Sequence, residues 1–294
     1  MNLISSYYLG FSNSRRVERK MKLAKTRQDW EDLGYYWFQG KEGHAKMLAL
    51  VERGKFQNVR DITTIQIPRS DLSFIGKCKN LERLMIETGS TQPVDFSQLK
   101  KLRTAELAGV FAKSVYGHED LQLLEHLQLS SPTESDLARL GGMTNYLAVY
   151  GPPQVWPKLA APDFVRELRI VMSRKGPLDV TNIAEMKHLR HIDMGRFSFG
   201  ILNGHELNRL EHLETLYLDF NETYDDKEWV FNFRSLRRFN FYYKKEGSDF
   251  TAEQYDRLLE RGWVNQYQYD RAKRRREKAN KLAIETKTKG QGEV

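Results

Sequence analysis

The sequence predicts an α/β solenoid, with a curved parallel β-sheet on its concave face, short helices or 3₁₀ turns on its convex face, and a helical cap at each end. Three observations point there. A six-residue pattern, apolar-x-x-apolar-x-apolar, recurs through the middle of the chain. The residues ahead of each copy carry apolar positions at two- and three-residue steps. The flanking segments carry helix signals instead. The expected organisation is a cap over residues 1–56, a repeat over 57–247 and a C-terminal extension over 248–294.

The N-terminal cap is expected to hold two helices within residues 14–53. The first carries Val17, Met21 and Ala24 at helical spacing, and the second, EGHAKMLALVERG, meets a helix stop at Gly54. Between them, WEDLGYYWF packs five aromatics into nine residues. That cluster suits either a ligand cage or, in keeping with the repeat, a cover over the open apolar end of a solenoid.

The repeat reads LERLMI from Leu81, LRTAEL from Leu102, LEHLQL from Leu124, TNYLAV from Thr144 and VRELRI from Val165. It continues as LRHIDM from Leu189, LETLYL from Leu213 and LRRFNF from Leu236, after a degenerate first copy, VRDITT, at Val59. Steps from Leu81 onward are 21, 22, 20, 21, 24, 24 and 23 residues. Alternating apolar positions suit a strand with one buried face. The three-residue steps, as among Val180, Ile183, Met186 and Leu189, suit a tight turn crossing the back of a coil.

This pattern resembles the leucine-rich-repeat family, in its short irregular classes with coils of about 22 residues, and the resemblance spans residues 59–243. It implies a solenoid that recognises a partner through its concave face. The family usually places Asn two residues beyond the last strand leucine, where its amide binds loop backbone. Here that region holds Gly89, Gly109, Pro132 and Gly151 or Pro152, with Asn221 in one coil only, so irregular loops and an uneven curve are expected.

The C-terminal extension opens on Thr251 with Gln254 three residues on, a capping-box pattern. A helix should follow to about Arg261 and break at Gly262, with Tyr255, Leu258 and Leu259 sealing the last coil. A second, more polar helix is expected over 264–285, and the final residues, KTKGQGEV, read as disordered.

Charge is concentrated in the flanks. Residues 15–27 and 271–281 each carry a net +6, which leaves the rest of the chain at −4 out of a total of +8. Nucleic-acid binding, if present, therefore belongs to the flanks. No apolar run approaches the roughly 20 residues of a membrane helix. The N-terminal apolar stretch precedes its charge, which argues against an export signal. The single cysteine, Cys78, excludes an internal disulfide and fits a reducing, cytoplasmic setting. It occupies an apolar repeat position and reads as packing.

No phosphate loop, nucleotide fingerprint, zinc-ligand spacing or serine elbow occurs. His126 and His191 fall at the third hexamer position three coils apart, about 14 Å at roughly 4.8 Å per strand, too far to share a metal. His188 and His212 should sit at coil corners. No catalytic residue, metal, cofactor or small-molecule substrate is expected.

The informative positions are the outward ones. At the fifth hexamer position stand Met85, Glu106, Gln128, Ala148, Arg169, Asp193, Tyr217 and Asn240; two residues on come Glu87, Ala108, Ser130, Tyr150, Val171, Gly195, Asp219 and Tyr242. Phe220 and Tyr243 extend the last two. The final coils concentrate aromatics and carboxylates, so Arg169, Asp193, Tyr217, Asp219, Phe220, Asn240, Tyr242 and Tyr243 are the candidate contacts for a protein partner. Either such a partner or the C-terminal extension covers them.

The acidic run 219–228 suits a solvated loop or a contact for a basic partner. Arg271, Lys273, Arg274, Arg275 and Arg276, with Tyr267 and Tyr269 nearby, suit a polyanion, an acidic protein or a solvated helix. The expected function is a non-enzymatic protein-binding scaffold, of inhibitor, immunity-type or adaptor character. One form would occlude a basic enzyme with residues 217–226. The alternative is a nucleic-acid binder acting through the basic flanks.

Overall fold

Each hexamer becomes a β-strand that pairs in parallel with its neighbours inside its own part of the chain. The structure, a computed structural model, describes residues 31–87, 90–108, 115–116, 121, 124–140, 144–171, 176–194, 200–220, 227–243 and 250–290. The expected first helix and the basic stretch 15–27 lie outside these residues, as do residues 221–226 of the acidic run and the last four residues. The chain divides into two compact units, residues 1–129 and 130–294, a division that falls inside the expected repeat.

In the first unit the strands are β1 (Tyr35–Gln39), β2 (Asp61–Ile65), β3 (Arg83–Ile86), β5 (Thr104–Ala108) and β7 (His126–Ser130), neighbours in chain order. Two-residue strands β4 (Val94–Asp95) and β6 (Val115–Tyr116) pair separately. In the second unit the order is β8 (Tyr146–Tyr150), β9 (Glu167–Val171), β11 (His191–Met194), β13 (Thr215–Phe220) and β14 (Arg238–Tyr243), with β10 (Leu178–Asp179) and β12 (Ile201–Leu202) paired apart.

The coil-to-coil link repeats. The carbonyl of the second hexamer residue accepts two N–H groups from the next coil: Arg60 from Glu82 and Arg83, Arg166 from Arg190 and His191, Arg190 from Glu214 and Thr215, at 2.8–3.1 Å. Side chains at this second position also pair. Arg60 lies 3.2 Å from Glu82, Arg103 2.7 Å from Glu125 and Arg190 3.7 Å from Glu214. All are partly exposed, so each contributes less than about 1 kcal/mol.

Beneath the strands lies an apolar ladder. Leu147, Leu168, Ile192, Leu216 and Phe239 are partners in successive registers and each is at most 1% exposed. In the first unit, Ile62, Leu84 and Ala105 do the same, and Leu127 is buried as well. Behind the strands run 3₁₀ turns at Ser73–Lys77, Thr181–Glu185, Gly204–Arg209 and Lys227–Asn232. Two of these turns, and the ordinary turn that follows β4, are opened by an aspartate. Asp71, Asp95 and Asp179 accept the N–H of Ser73, Ser97 and Thr181 at 2.8–2.9 Å, a local bond that replaces a helix cap. The turns then close on the first hexamer leucine, whose N–H reaches the residue three earlier, as Leu81 to Cys78 and Leu189 to Met186.

The N-terminal end differs from expectation in one respect. Tyr35–Gln39, read as an aromatic cluster between helices, is the edge strand β1, in register with β2 from Tyr35↔Asp61 to Gln39↔Ile65. The helix that follows, α1 (Gly40–Arg53), ends as expected. Gly54 is left-handed at φ 63° and its N–H closes on Leu50 and Val51.

At the other end, α2 (Glu134–Ala138) is a short helix within the second unit, and α3 (Ala252–Glu260) carries the expected capping box. Tyr255 and Leu258 of α3 are buried, Tyr255 packing edge-on to Phe241 and Phe250. Gly262, at φ 68°, turns the chain so that Trp263 stacks on Phe231 and meets Phe239 edge-on. Arg257 lies 3.9 Å over Phe231 and 2.5 Å from Glu228. Arg261 donates to the Phe231 carbonyl at 2.7 Å.

Helix α4 (Gln266–Gly290) is longer than the sequence suggested and takes in residues 287–290 of the tail read as disordered. No proline interrupts it, and lysine, alanine and glutamate are good helix formers. Asn265 and Gln268 bond reciprocally at 2.9 Å to open it. Tyr269 donates to Asp256 at 2.6 Å, Ala272 is buried and Arg276 lies 5.0 Å over the Tyr255 ring. The first half of α4 is thus part of the cap.

Two outcomes follow. Leu168→Ala should cost about 2–5 kcal/mol, and Leu168→Asp should abolish the cooperative thermal transition, because it buries an unpaired charge. A wild-type melt for the aspartate variant would contradict the ladder. Truncation after Lys278 should leave the melt unchanged, whereas removal of 264–294 should lower it, since Val264 and Ala272 leave the core. Equal melts for the two truncations would contradict the packing of α4.

Candidate functional site

Outward residues of the second unit form two ladders. The third hexamer position gives Tyr146, Glu167, His191, Thr215 and Arg238; the fifth gives Ala148, Arg169, Asp193, Tyr217 and Asn240, each in register with the next. Parallel strands about 4.8 Å apart place successive members in contact range. The structure therefore brings Arg169, Asp193, Tyr217 and Asn240 into one row. Asp219 is in register with Tyr242 and Phe220 with Tyr243, so each pair is adjacent across β13 and β14, and by strand alternation the two pairs belong to opposite faces.

The row is not uniform. Ala148 is in register with Arg169 yet only 1% exposed, a methyl group among longer side chains. The Arg169 guanidinium donates to the Tyr146 hydroxyl and lies 3.3 Å from Asp193. Burial pushes the Tyr146 phenol above its ordinary range, against the opposing pull of that hydrogen bond, so the phenol stays protonated and the arginine donates. The Glu167 side chain is exposed, and its carboxylate carries no hydrogen bond or ion pair among the described residues. These side chains, with His191, Thr215 and Tyr217, line a hollow of about 360 Å³.

A second hollow, about 370 Å³, lies between the last two strands and the start of α4. Tyr217 and Asn240 form one wall, and Gln268, Arg271 and Arg275 the other. Phe239, Phe241, Tyr255, Trp263 and Val264 complete the lining. Tyr217 borders both hollows. Asn240 remains exposed and Tyr217 half-exposed, so α4 walls this face without covering it.

Of the five basic candidates, Arg271 and Arg275 face the groove. Lys273 and Arg274 are exposed and do not line it; Arg274 bonds the Asp270 carbonyl at 3.3 Å. Arg276 is taken up by Tyr255. Tyr267 is 67% exposed, whereas Tyr269 is held by Asp256. The sequence separated a partner face from a basic helix; the structure joins them at Tyr217 and Asn240. The signal for that join was the i, i+4 spacing of Arg271 and Arg275, which puts both on the same side of a helix.

In the first unit the outward positions are less accessible. Asp61 is 3% exposed and lies 2.6 Å from Arg83. Burial raises the Glu106 carboxyl above its usual range, with Arg83 opposing, and Gln128 donates to it at 3.4 Å. His126 is half-buried and burial lowers its imidazole pKa. His188 and His212 occupy exposed corners of adjacent coils, stacked at 6.3 Å and 10°. Among the described residues no three His, Cys, Asp or Glu side chains converge as metal ligands, and no helix is long and apolar enough to cross a membrane. No protein-family model matches the chain, and no curated protein shows a significant match to it.

Cys78 is fully buried and its thiol is pushed up to about 12 by burial. It should therefore resist a thiol reagent such as Ellman's reagent at pH 8 and react at once in denaturant. Rapid labelling of the native protein would contradict its placement.

Proposed function

We propose that the coils stack as a leucine-rich-repeat-type solenoid and that the protein is a non-enzymatic, cytoplasmic scaffold which binds a protein partner through the outward, concave side of its strands. The observation that carries this reading is the row Arg169, Asp193, Tyr217 and Asn240, displayed on consecutive strands and open to solvent at the end where α4 forms a wall. Mixed charge beside a tyrosine is the composition of protein-binding hot spots. The fixed strand spacing presents these groups without loss of backbone entropy on binding.

An inhibitor or immunity-type role, with the acidic stretch 217–226 set against a basic enzyme, is one form of this scaffold, and an adaptor is another. Nucleic-acid binding is the second reading. Arg271 and Arg275 beside Tyr217 favour it; Glu167 and Asp193 on the same face oppose it, because phosphates would have to run past carboxylates.

The test is affinity capture from the native host after nuclease treatment, followed by titration of the purified partner against Tyr217→Ala, Asn240→Ala protein. Affinity should fall by about 2 kcal/mol with an unchanged melt. Unchanged affinity would place the contact elsewhere. Capture that nuclease abolishes, with steep salt dependence, would favour nucleic acid instead.

A further inference from the structure

The groove between the basic helix and the strand face has a chemistry of its own. Arg271 and Arg275 stand one helical turn apart and both line it, across from Tyr217 and Asn240. The Arg271 side chain is exposed, and its guanidinium has no ion pair or hydrogen bond among the described residues. The helix that carries these arginines is fixed by the Asn265–Gln268 bonds, by Tyr269 on Asp256 and by buried Ala272. The guanidinium groups are therefore mounted on a positioned backbone, which lowers the entropy lost when they engage a ligand.

We infer that this groove is an anion-anchoring subsite that takes a glutamate or aspartate side chain from an acidic segment of the protein partner, held by the arginine pair. The inference rests on the scaffold reading above and specifies the partner's chemistry at one end of the same face. A guanidinium matches a carboxylate with two parallel hydrogen bonds, a geometry a lysine does not offer. The volume, about 370 Å³, suits a side chain or two rather than a folded element.

The surroundings select a peptide over a nucleic acid. Moving across the strands away from the groove, the fifth-position row gives Asp193, paired with Arg169, and the third-position row passes Thr215 and His191 to reach the exposed carboxylate of Glu167. A nucleic-acid strand repeats its negative charge at every nucleotide and would meet these carboxylates. A peptide varies its charge from residue to residue, so one acidic side chain can enter the groove while a neutral or basic neighbour faces Glu167.

The experiment uses the full chain at low salt and fluorescence anisotropy with two probes, a labelled peptide of eight glutamates and a labelled thymidine oligonucleotide of the same length. Wild type is compared first with two double variants, Arg271→Gln with Arg275→Gln, and Lys273→Gln with Arg274→Gln. The two variants lose the same charge from the same helix, but only the first alters the groove. We expect the groove variant to bind the glutamate peptide at least tenfold more weakly and the second variant to stay within twofold of wild type. Arg271→Glu, a single exposed change, should shift affinity in the same direction as the groove variant. All three substituted proteins should keep the wild-type melt. Equal losses in both double variants, no binding of the peptide by wild type, or a groove-dependent preference for the oligonucleotide would each overturn the inference. None of these results bears on the effect of Tyr217→Ala, Asn240→Ala on a captured partner, so the two readings fail separately.

Discussion

The backbone of each coil is completed by its neighbour. A carbonyl at the second hexamer position faces sideways and takes two N–H groups from the following coil, as Glu214 does from Arg237 and Arg238 at 2.9 and 3.0 Å. The apolar ladder under the strands has the same dependence, since Leu168 is buried between its register partners Leu147 and Ile192. Parallel strands of this kind cannot stand alone, and the demand for a neighbour passes along each unit until something other than a coil meets it.

What meets it differs between the ends. At the N-terminal side, β1 supplies one more strand and α1 packs Met47 and Leu50 against the core. At the C-terminal side, β14 brings two phenylalanines to the edge, and α3 answers with Tyr255 and Leu258 while Trp263 folds back over Phe231. The turn at Gly262 that lets Trp263 do this also sets the origin of α4. The position of Arg271 and Arg275 beside Asn240 is therefore a by-product of sealing the last coil. Burial of a few aromatic rings, each worth several kcal/mol at roughly 25 cal/mol per Å², holds the helix that shapes the groove.

Much of the fold was legible because its signals are local. Leucines at fixed steps gave the strands, the Thr251–Gln254 pair gave the start of α3, and Gly54 gave the end of α1. The strand β1 was hidden because its burial lacks a two-residue alternation, with three half-buried residues in succession; its identity comes from pairing with β2, 26 residues away at Tyr35↔Asp61. The row Arg169–Asp193–Tyr217–Asn240 was legible from phase alone. The groove was not, because Ala272 is the one small apolar residue in a run of arginines and lysines, and nothing in its neighbours shows that it touches the protein. The aspartates that open turns behind the strands, Asp71, Asp95 and Asp179, each precede an apolar residue and a serine or threonine. That three-residue signal is local but is outweighed in the sequence by the more regular leucines.

The paired charges at the second hexamer position have a bearing on how the first unit assembles. Arg60, Glu82, Arg103 and Glu125 alternate in sign from coil to coil. Since the hexamers look alike to an incoming strand, a folding chain could dock a coil one place out of turn and still find leucines beneath it. Skipping a coil would set Arg60 beside Arg103, or Glu82 beside Glu125, like against like, at about 0.2–1 kcal/mol for each such contact. The alternation thus works as a parity check on coil order, weak in the finished protein and most useful while the order is still being chosen.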